Sequence, residues 1–157
     1  VLHPTAHAYR TFCQALEILY GVTMAIVLWD GSLNTGYNAI DAQHKHLFEV
    51  INNLHNKIVR GDDKVFLLTT LDSLKQYVRF HFRTEEELMH THAYPSREEH
   101  LEDHRRFEQK VLEIESKSDE EVSKLLMEIL SFLLGWLILH IQQEDLRLTS
   151  HLKDVGA

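Results

Sequence analysis

Residues 40–58 read IDAQHKHLFEVINNLHNKI, and this stretch decides the fold. Its apolar residues recur at spacings near 3.6, which is the repeat of an α-helix with one buried face. That face is formed by Ile40, Leu47, Ile51, Leu54 and Ile58. We therefore predict a helix over about residues 41–60 that ends at Gly61, because glycine commonly follows the last helical residue.

A second helix with the same periodicity is predicted after Gly61. It begins at Asp62 or Asp63, which are both favourable N-cap residues, and it runs to about residue 91. The segment AYPS at 93–96 then ends the helix, because the ring of Pro95 prevents a helix from continuing through it. The short connections on either side of this helix favour antiparallel packing against its neighbours.

Capping-box patterns mark the start of two more helices. Ser96 with Glu99 predicts a third helix to about residue 115, and Ser118 with Glu121 predicts a fourth to about Ser150. Four amphipathic helices predict an all-α fold, an antiparallel up-down-up-down four-helix bundle. Residues 1–23 are predicted to form an N-terminal arm or extra helix, residues 24–157 the bundle domain, and residues 29–38 a loop.

The composition limits the class of protein. A chain of 157 residues fits one domain with a substantial core, and a net charge of −8 argues against nucleic-acid or anionic-membrane surfaces. The most apolar run, residues 18–29, has 12 residues, whereas a bilayer span needs about 20. A single cysteine, Cys13, excludes an intrachain disulfide. Because the N-terminus carries no clear secretion signal either, we expect a cytoplasmic protein.

Histidine is the unusual residue type, with 12 among 157 residues. An up-down-up-down bundle brings five of them to one end of the molecule. These five are His44, His81, His100, His104 and His140. Glu85 follows His81 by four residues, which is about one helical turn, so an imidazole and a carboxylate are directed to the same point.

A single pair of this kind carries little weight. Twelve histidines in a chain of this length give about one HxxxH pair by chance, and one such pair most often lies on a solvated helix face. Five histidines and an acid on four helices favour a buried metal cluster instead. Buried histidines hydrogen-bonded to one another are the remaining structural alternative.

The number of donors limits the kind of metal centre. Five histidines with one or two carboxylates exceed the needs of one tetrahedral zinc ion and suit two ions of intermediate softness, with iron as the leading choice. A ferritin-like di-iron site uses two ExxH motifs, but the sequence has one, from Glu87 to His90. The HExxH motif of zinc proteases is absent from the sequence.

The chain resembles the hemerythrin family, in its bacterial branch, over about residues 24–151. The matching segments are Trp29, IDAQHKHLFEVIN (40–52), HFRTEEELM (81–89), YPSREEHLEDHRRF (94–107) and LILHIQQED (137–145). The family's ligand series, H…HxxxE…HxxxH…HxxxxD, is present in order. The resemblance implies a centre of two iron ions (Fe²⁺/Fe³⁺) with a bridging oxo or hydroxo group.

The resemblance also assigns the metal ligands. They are His44, His81, Glu85, His100, His104, His140 and Asp145. The first two histidines would hold one iron, the other three histidines would hold the second, and the two carboxylates would bridge them. The remaining histidines of the bundle domain have no role in the family's pattern and are expected to be exposed or locally bonded: His46, His55, His90, His92 and His151.

Residues 140–145, HIQQED, pose a question of spacing. Regular helical spacing favours Glu144 as the partner of His140, whereas the resemblance selects Asp145, one residue further on. Five residues rotate about 140° beyond a full turn of a regular helix, so we hypothesise a wide, π-type turn between His140 and Asp145. Glu144, Glu86 and Glu87 would then be solvated side chains.

The function that the resemblance implies is reversible O₂ binding, with O₂ as the ligand and no enzymatic activity. The vacancy would lie on the iron held by two histidines, beside an apolar wall for which the candidates are Leu47, Phe48, Leu88, Phe107 and Leu137. Such a protein is an oxygen carrier or store, or an oxygen- or redox-sensing domain.

Two alternatives stay open. The first is a sensor domain cut from a larger protein with a fused or partner signalling domain, favoured by the start at Val1 and by the segment before residue 24. The second is a di-iron enzyme that consumes peroxide or NO. The histidine-rich donor set argues against this enzyme, because oxygen-activating sites are typically rich in carboxylates.

Overall fold

The computed structural model of the protein describes residues 25–61, 64–116 and 122–157. A short 3-10 turn, Gly31–Leu33, precedes the first long helix. The long helices are α1 (Asn38–Arg60), α2 (Lys64–Thr91), α3 (Arg97–Glu115) and α4 (Val122–His140). A π turn (Ile141–Asp145) and α5 (Leu146–Asp154) continue α4 as a single fourth rod.

The four rods form a closed bundle. Helix α1 packs against α2 and α4, and α3 packs against α2 and α4, so each rod contacts the two rods beside it. The described residues contain no β-strand. The predicted all-α four-helix bundle is therefore confirmed. The N-terminal arm or extra helix lies outside the described residues, and the domain boundary at residue 24 stays a prediction.

The helix ends differ in detail from those expected. Helix α1 begins at Asn38, three residues before the predicted start, and the fourth rod continues to Asp154 rather than to Ser150. Ser96 does precede α3, but its side chain makes no capping hydrogen bond, so the capping box predicted there is wrong. The predicted caps at residues 62–63 and 118–121 lie outside the described residues.

A buried carboxylate fixes the start of α1. Asp41 accepts hydrogen bonds from the backbone N–H and the hydroxyl of Thr35, both at 2.8 Å, and from the backbone N–H of Gly36 at 3.0 Å. The ammonium group of Lys153 donates to the carbonyl oxygen of Thr35 at 2.9 Å. The entering loop is thereby attached both to the first helix and to the last.

The apolar core has two parts. The larger cluster includes Leu47, Phe82, Phe107 and Leu137 and continues through α1–α4 towards the end of the bundle at Gly61. The smaller cluster consists of Ile40, Met89, Tyr94, Leu148 and Leu152. Along the rods, the five histidines of the predicted metal centre lie between residues of the larger cluster and residues of the smaller one, so apolar side chains enclose these histidines from both ends of the bundle.

The fourth rod is more apolar than the sequence pattern suggested. The helical segment Lys124–Asp154 has 31 residues and contains an 18-residue window with a mean hydropathy of 1.8, so it meets the length and composition of a membrane span. The expectation that no stretch is long enough is therefore wrong on this criterion. A core helix of a globular protein meets the same criterion, and this segment carries buried polar residues, His140 and Asp145, near its middle.

Two glycines give a matched test of the backbone. Gly61 ends α1 with φ at +75°, a left-handed conformation that costs a residue with a Cβ about 1 kcal/mol. Gly135 is exposed within α4, where alanine is favoured over glycine by about 1 kcal/mol. No described atom lies within 4 Å of a Cβ added at either position, so neither substitution introduces a clash.

We therefore expect Gly61→Ala to lower the free energy of unfolding and Gly135→Ala to raise it, each by about 1 kcal/mol. Urea unfolding of both variants measures the difference. Because the substitution is the same, its effect on the unfolded chain is shared by the two variants. A gain of stability in Gly61→Ala similar to that in Gly135→Ala would contradict the assignment of the left-handed cap.

Candidate metal centre

The bundle brings all seven predicted ligands into one buried cluster. Each of the seven is at most 3% exposed. Their donor atoms form two groups, and within each group all atoms lie within 4.8 Å of one another. The first group, called here the three-histidine half, is Glu85, His100, His104 and His140. The second, called the two-histidine half, is His44, His81, Glu85 and Asp145.

Glu85 faces both halves. Its Oε1 atom lies 3.4 Å from Nε2 of His81, which precedes it by one turn on α2. Its Oε2 atom lies 3.4 Å from Nε2 of His100 and 3.2 Å from Nε2 of His104, both on α3. One oxygen of this carboxylate is thus directed to each half, which is the arrangement of a bridging ligand.

Asp145 repeats this arrangement from the opposite side. Its Oδ2 atom lies 3.0 Å from Nε2 of His44 in the two-histidine half. Its Oδ1 atom lies 3.0 Å from Nε2 of His140 and 3.4 Å from Nε2 of His100. The two carboxylates therefore separate five imidazoles into a pair and a triplet. The Nε2 atoms of His104 and His140, on α3 and α4, are 3.3 Å apart.

The hypothesised π turn between His140 and Asp145 is confirmed. Residues Ile141–Asp145 form the turn, and the backbone N–H of Leu146 bonds to the carbonyl of Ile141, five residues before it. The wider turn carries Asp145 to the side of the rod that His140 occupies. Glu144 is only 15% exposed in its side chain and pairs with Arg147, so the expectation of a solvated Glu144 is wrong.

The donor set fits a cationic group. In the described part of the chain, both oxygens of Glu85 and of Asp145 are buried without a hydrogen-bond donor of adequate geometry. The same holds for Nε2 of His44 and of His81. Buried carboxylates without donors cost several kcal/mol, and metal ions that accept all these lone pairs remove that cost. Imidazole nitrogen with carboxylate oxygen suits iron and other borderline metals.

The electrostatics of the cluster keep both carboxylates charged. Burial opposes ionisation of Glu85, but the surrounding histidines outweigh it and hold its pKa well below the usual range. The pKa of Asp145 is lowered as well, because His140 and His100 outweigh burial and the repulsion from Glu85. Two negative charges are therefore available to balance bound cations.

The histidines differ in how they hold protons. Burial lowers the pKa of His81 to about 4, so this imidazole is neutral at pH 7. Burial also acts on His100, but the carboxylates of Asp145 and Glu85 outweigh it and raise its pKa to about 9. The pKa of His140 is raised well above its usual value, because Asp145 and Asp103 outweigh burial.

Three polar residues that the sequence pattern did not identify contact the outer nitrogens of the ligands. The Nδ1 atom of His140 lies 2.8 Å from Asp103, and Nδ1 of His104 lies 3.3 Å from Glu86. The Nδ1 atom of His81 lies 2.9 Å from Oε1 of Gln43. Each contact joins two different helices, so regular spacing within one helix gave no signal for it. Glu86 was expected to be solvated, and 42% of its side chain is exposed, but the contact with His104 was not predicted.

Aromatic rings hold two imidazoles of the three-histidine half in position. Phe82 stacks on His104, with ring centroids 3.7 Å apart and planes 6° apart. Trp136 stacks on His140, at 4.2 Å and 19°. Such close stacking restricts the rotation of both imidazoles about their side-chain bonds.

A small cavity of about 10 Å³ adjoins the two-histidine half at His81. Its volume is close to that of a single water-sized site. Three of the five residues proposed as an apolar wall line it, namely Leu47, Phe107 and Leu137. Phe48 packs instead against Trp29, and Leu88 packs in the smaller apolar cluster, so these two side chains do not line this cavity.

The other five histidines of the described residues lie apart from the donor groups. His46 is half exposed beside Glu49, and His90 is exposed, as expected. His151 approaches the backbone carbonyl of His92 with its Nε2 atom at 2.9 Å. His55 is 1% exposed, so of the two expected alternatives the exposed side chain does not apply to it.

Known proteins resemble the chain over most of its length. The profile of the family described as "Hemerythrin HHE cation binding domain" matches residues 35–152. A bacteriohemerythrin of Pseudomonas aeruginosa is 34% identical over 124 residues, which are 78% of each chain. A bacteriohemerythrin of Clostridium acetobutylicum is 31% identical over 75% of this chain and 95% of its own. A hemerythrin-like protein of Naegleria gruberi is 30% identical over 76% and 87%, respectively. With its buried histidine and carboxylate cluster, the chain belongs to the hemerythrin family.

Proposed function

We propose that the protein binds two iron ions and, through them, binds O₂ reversibly, as an oxygen carrier or store or as an oxygen-sensing domain. The observation that supports this most directly is the placement of Glu85 and Asp145, each with one oxygen towards each half of the cluster. Two carboxylates in that arrangement are suited to join two ions and not one. Iron bound there supplies the two electrons that O₂ takes up.

The two halves of the cluster have different numbers of nitrogen donors. His100, His104 and His140 give one half three nitrogen donors, whereas His44 and His81 give the other half two. The half with fewer protein donors is the one with room for an external ligand. Its His81 lines the small cavity, whose other walls are mainly apolar.

That apolar surrounding has a chemical role in the proposal. Leu47, Phe107 and Leu137 offer neither a proton donor nor an acceptor, so they exclude water from the space beside His81. Exclusion of water and protons protects bound O₂ from irreversible reduction. The enclosed position of the cluster, between the two apolar parts of the core, has the same effect.

We propose a binding role and not an enzymatic one, in the cytoplasm. Five of the seven donors are imidazoles, and a nitrogen-rich set stabilises the reduced ions more than the oxygen-rich sets used for oxygen activation. A carrier and a sensor share this binding step. A sensor differs from a carrier because O₂ binding also changes the activity of a signalling partner.

The proposal is tested by metal content and optical spectra. Purified protein is expected to hold two iron atoms per chain, because the donors form two groups with shared carboxylates. The reduced protein should gain near-ultraviolet and visible bands in air and lose them again when oxygen is removed. Zinc in place of iron, or bands that never reverse, would contradict the proposal.

Removal of one imidazole should lower the bound iron and the stability of the protein together. We expect His100→Ala to lose iron, because His100 is fully buried in the three-histidine half. Bound metal stabilises the folded state by about 3 kcal/mol at a hundredfold excess over its dissociation constant, which corresponds to roughly 5–10 °C in the unfolding temperature. The exposed His90 provides the control, since His90→Ala should change neither quantity. Equal losses in both variants would argue against a metal role for His100.

Metal binding should also displace protons. At pH 7 the metal-free protein carries a proton on His100, whose pKa is about 9, and on His140, whose pKa is well above its usual value. Both must be released before Nε2 can bind metal. Calorimetry at pH 7 in buffers of different ionisation enthalpy should therefore detect release of about two protons. The share from His100 should disappear above pH 9. Proton release that does not decrease above pH 9 would contradict the protonated state of His100 in the metal-free protein.

A further inference from the structure

The outer contacts of the ligand imidazoles differ between the two halves. In the three-histidine half, carboxylates face the outer nitrogens: Asp103 lies 2.8 Å from Nδ1 of His140, and Glu86 lies 3.3 Å from Nδ1 of His104. In the two-histidine half, the only described outer contact of this kind is a neutral amide, Gln43, at 2.9 Å from Nδ1 of His81.

The orientation of the Gln43 amide follows from its other hydrogen bond. The hydroxyl of Thr84 donates its single proton to the carbonyl of Phe80 at 3.1 Å. It can therefore only accept from Gln43, whose Nε2 atom lies 3.1 Å away. The amide oxygen is left to accept from Nδ1–H of His81. This chain of bonds fixes the tautomer, so Nε2 of His81 presents its lone pair to the cluster.

The nature of the acceptor changes the strength of the ligand. A carboxylate that accepts from the outer N–H of a metal-bound imidazole raises the basicity of the inner nitrogen, and loss of such a partner typically weakens metal binding 10–100-fold. An amide oxygen has no net charge and has a smaller effect. Asp103 is a carboxylate, and its Oδ2 atom lies 2.8 Å from Nδ1 of His140. Its side chain is 29% exposed, so water screens part of the charge.

From this asymmetry we infer that the two metal positions have unequal affinities and fill in order. The three-histidine half, supported by Asp103 and Glu86, fills first, and the two-histidine half, supported by Gln43, fills second. Asp103 is accordingly a positioning residue that acts through His140. The inference rests on the two-metal centre of the proposed function. The half that fills last is the half beside the small cavity.

The order is tested by titration of the metal-free full-length chain with Co²⁺ without oxygen, in competition with a coloured chelator. Cobalt replaces iron in imidazole and carboxylate sites, and its optical bands report each ion separately. The wild-type protein should bind two Co²⁺ ions with two distinct affinities. In Asp103→Asn, the affinity for the first ion should fall about tenfold or more, and the affinity for the second should stay nearly unchanged.

Three further variants distinguish the inferred effect from a general one. Glu102→Gln removes one charge from the neighbouring residue, which is half exposed and pairs with Arg105, so it should leave both affinities unchanged. Asp103→Glu keeps the carboxylate and should retain most of the first affinity. Gln43→Glu introduces an anionic acceptor at His81, where the Thr84 hydroxyl can turn to donate to it, and should raise the second affinity.

The outcomes separate the inference from the proposed function. A loss in the second affinity of Asp103→Asn, with the first unchanged, would show the reverse order and overturn the inference. Equal losses in Asp103→Asn and Glu102→Gln would assign the effect to overall charge and overturn it as well. Wild-type protein that binds no Co²⁺, or a single ion, would contradict the two-metal centre itself.

Discussion

The rest of the structure depends on two buried carboxylates. Glu85 and Asp145 each direct one oxygen to a pair of imidazoles and the other to a triplet, and neither has a satisfying donor among the described residues. Such charges are costly in an apolar interior unless cations balance them. Every rod contributes a ligand to the cluster, so the packing of the bundle and the binding of metal depend on each other.

The bundle protects this cluster by its position along the rods. On each rod the ligands are followed by core residues in both directions, so water reaches them poorly from either end. The side chains that surround the two halves of the cluster differ. The three-histidine half has stacked aromatic rings, Phe82 and Trp136, and charged outer partners, whereas the two-histidine half adjoins a small, mainly apolar cavity. In the proposed function, the first half holds metal firmly and the second admits a small ligand.

The fourth rod illustrates how local backbone geometry serves the site. A regular helix would direct Asp145 away from His140, and it would leave Glu144 in the better place. The π turn adds one residue to a single turn and brings Asp145 to the cluster, while Glu144 pairs with Arg147 at the edge. This wide turn has an energetic cost, but it places Asp145 in the cluster. Such π turns are frequently found at functional sites.

The sequence alone determined the four helices and the end of the bundle at which the histidines gather. Its resemblance to a family predicted the seven side chains that the structure brings into one buried cluster. Periodicity and spacing within a helix are local properties, so they can be read from the chain. The outer partners Gln43, Glu86 and Asp103, the burial of Glu144 and the absence of a capping bond at Ser96 were decided by the tertiary structure. The three outer partners depend on which side chain of another helix comes within about 3 Å, a distance set by helix packing and not by any spacing along one helix.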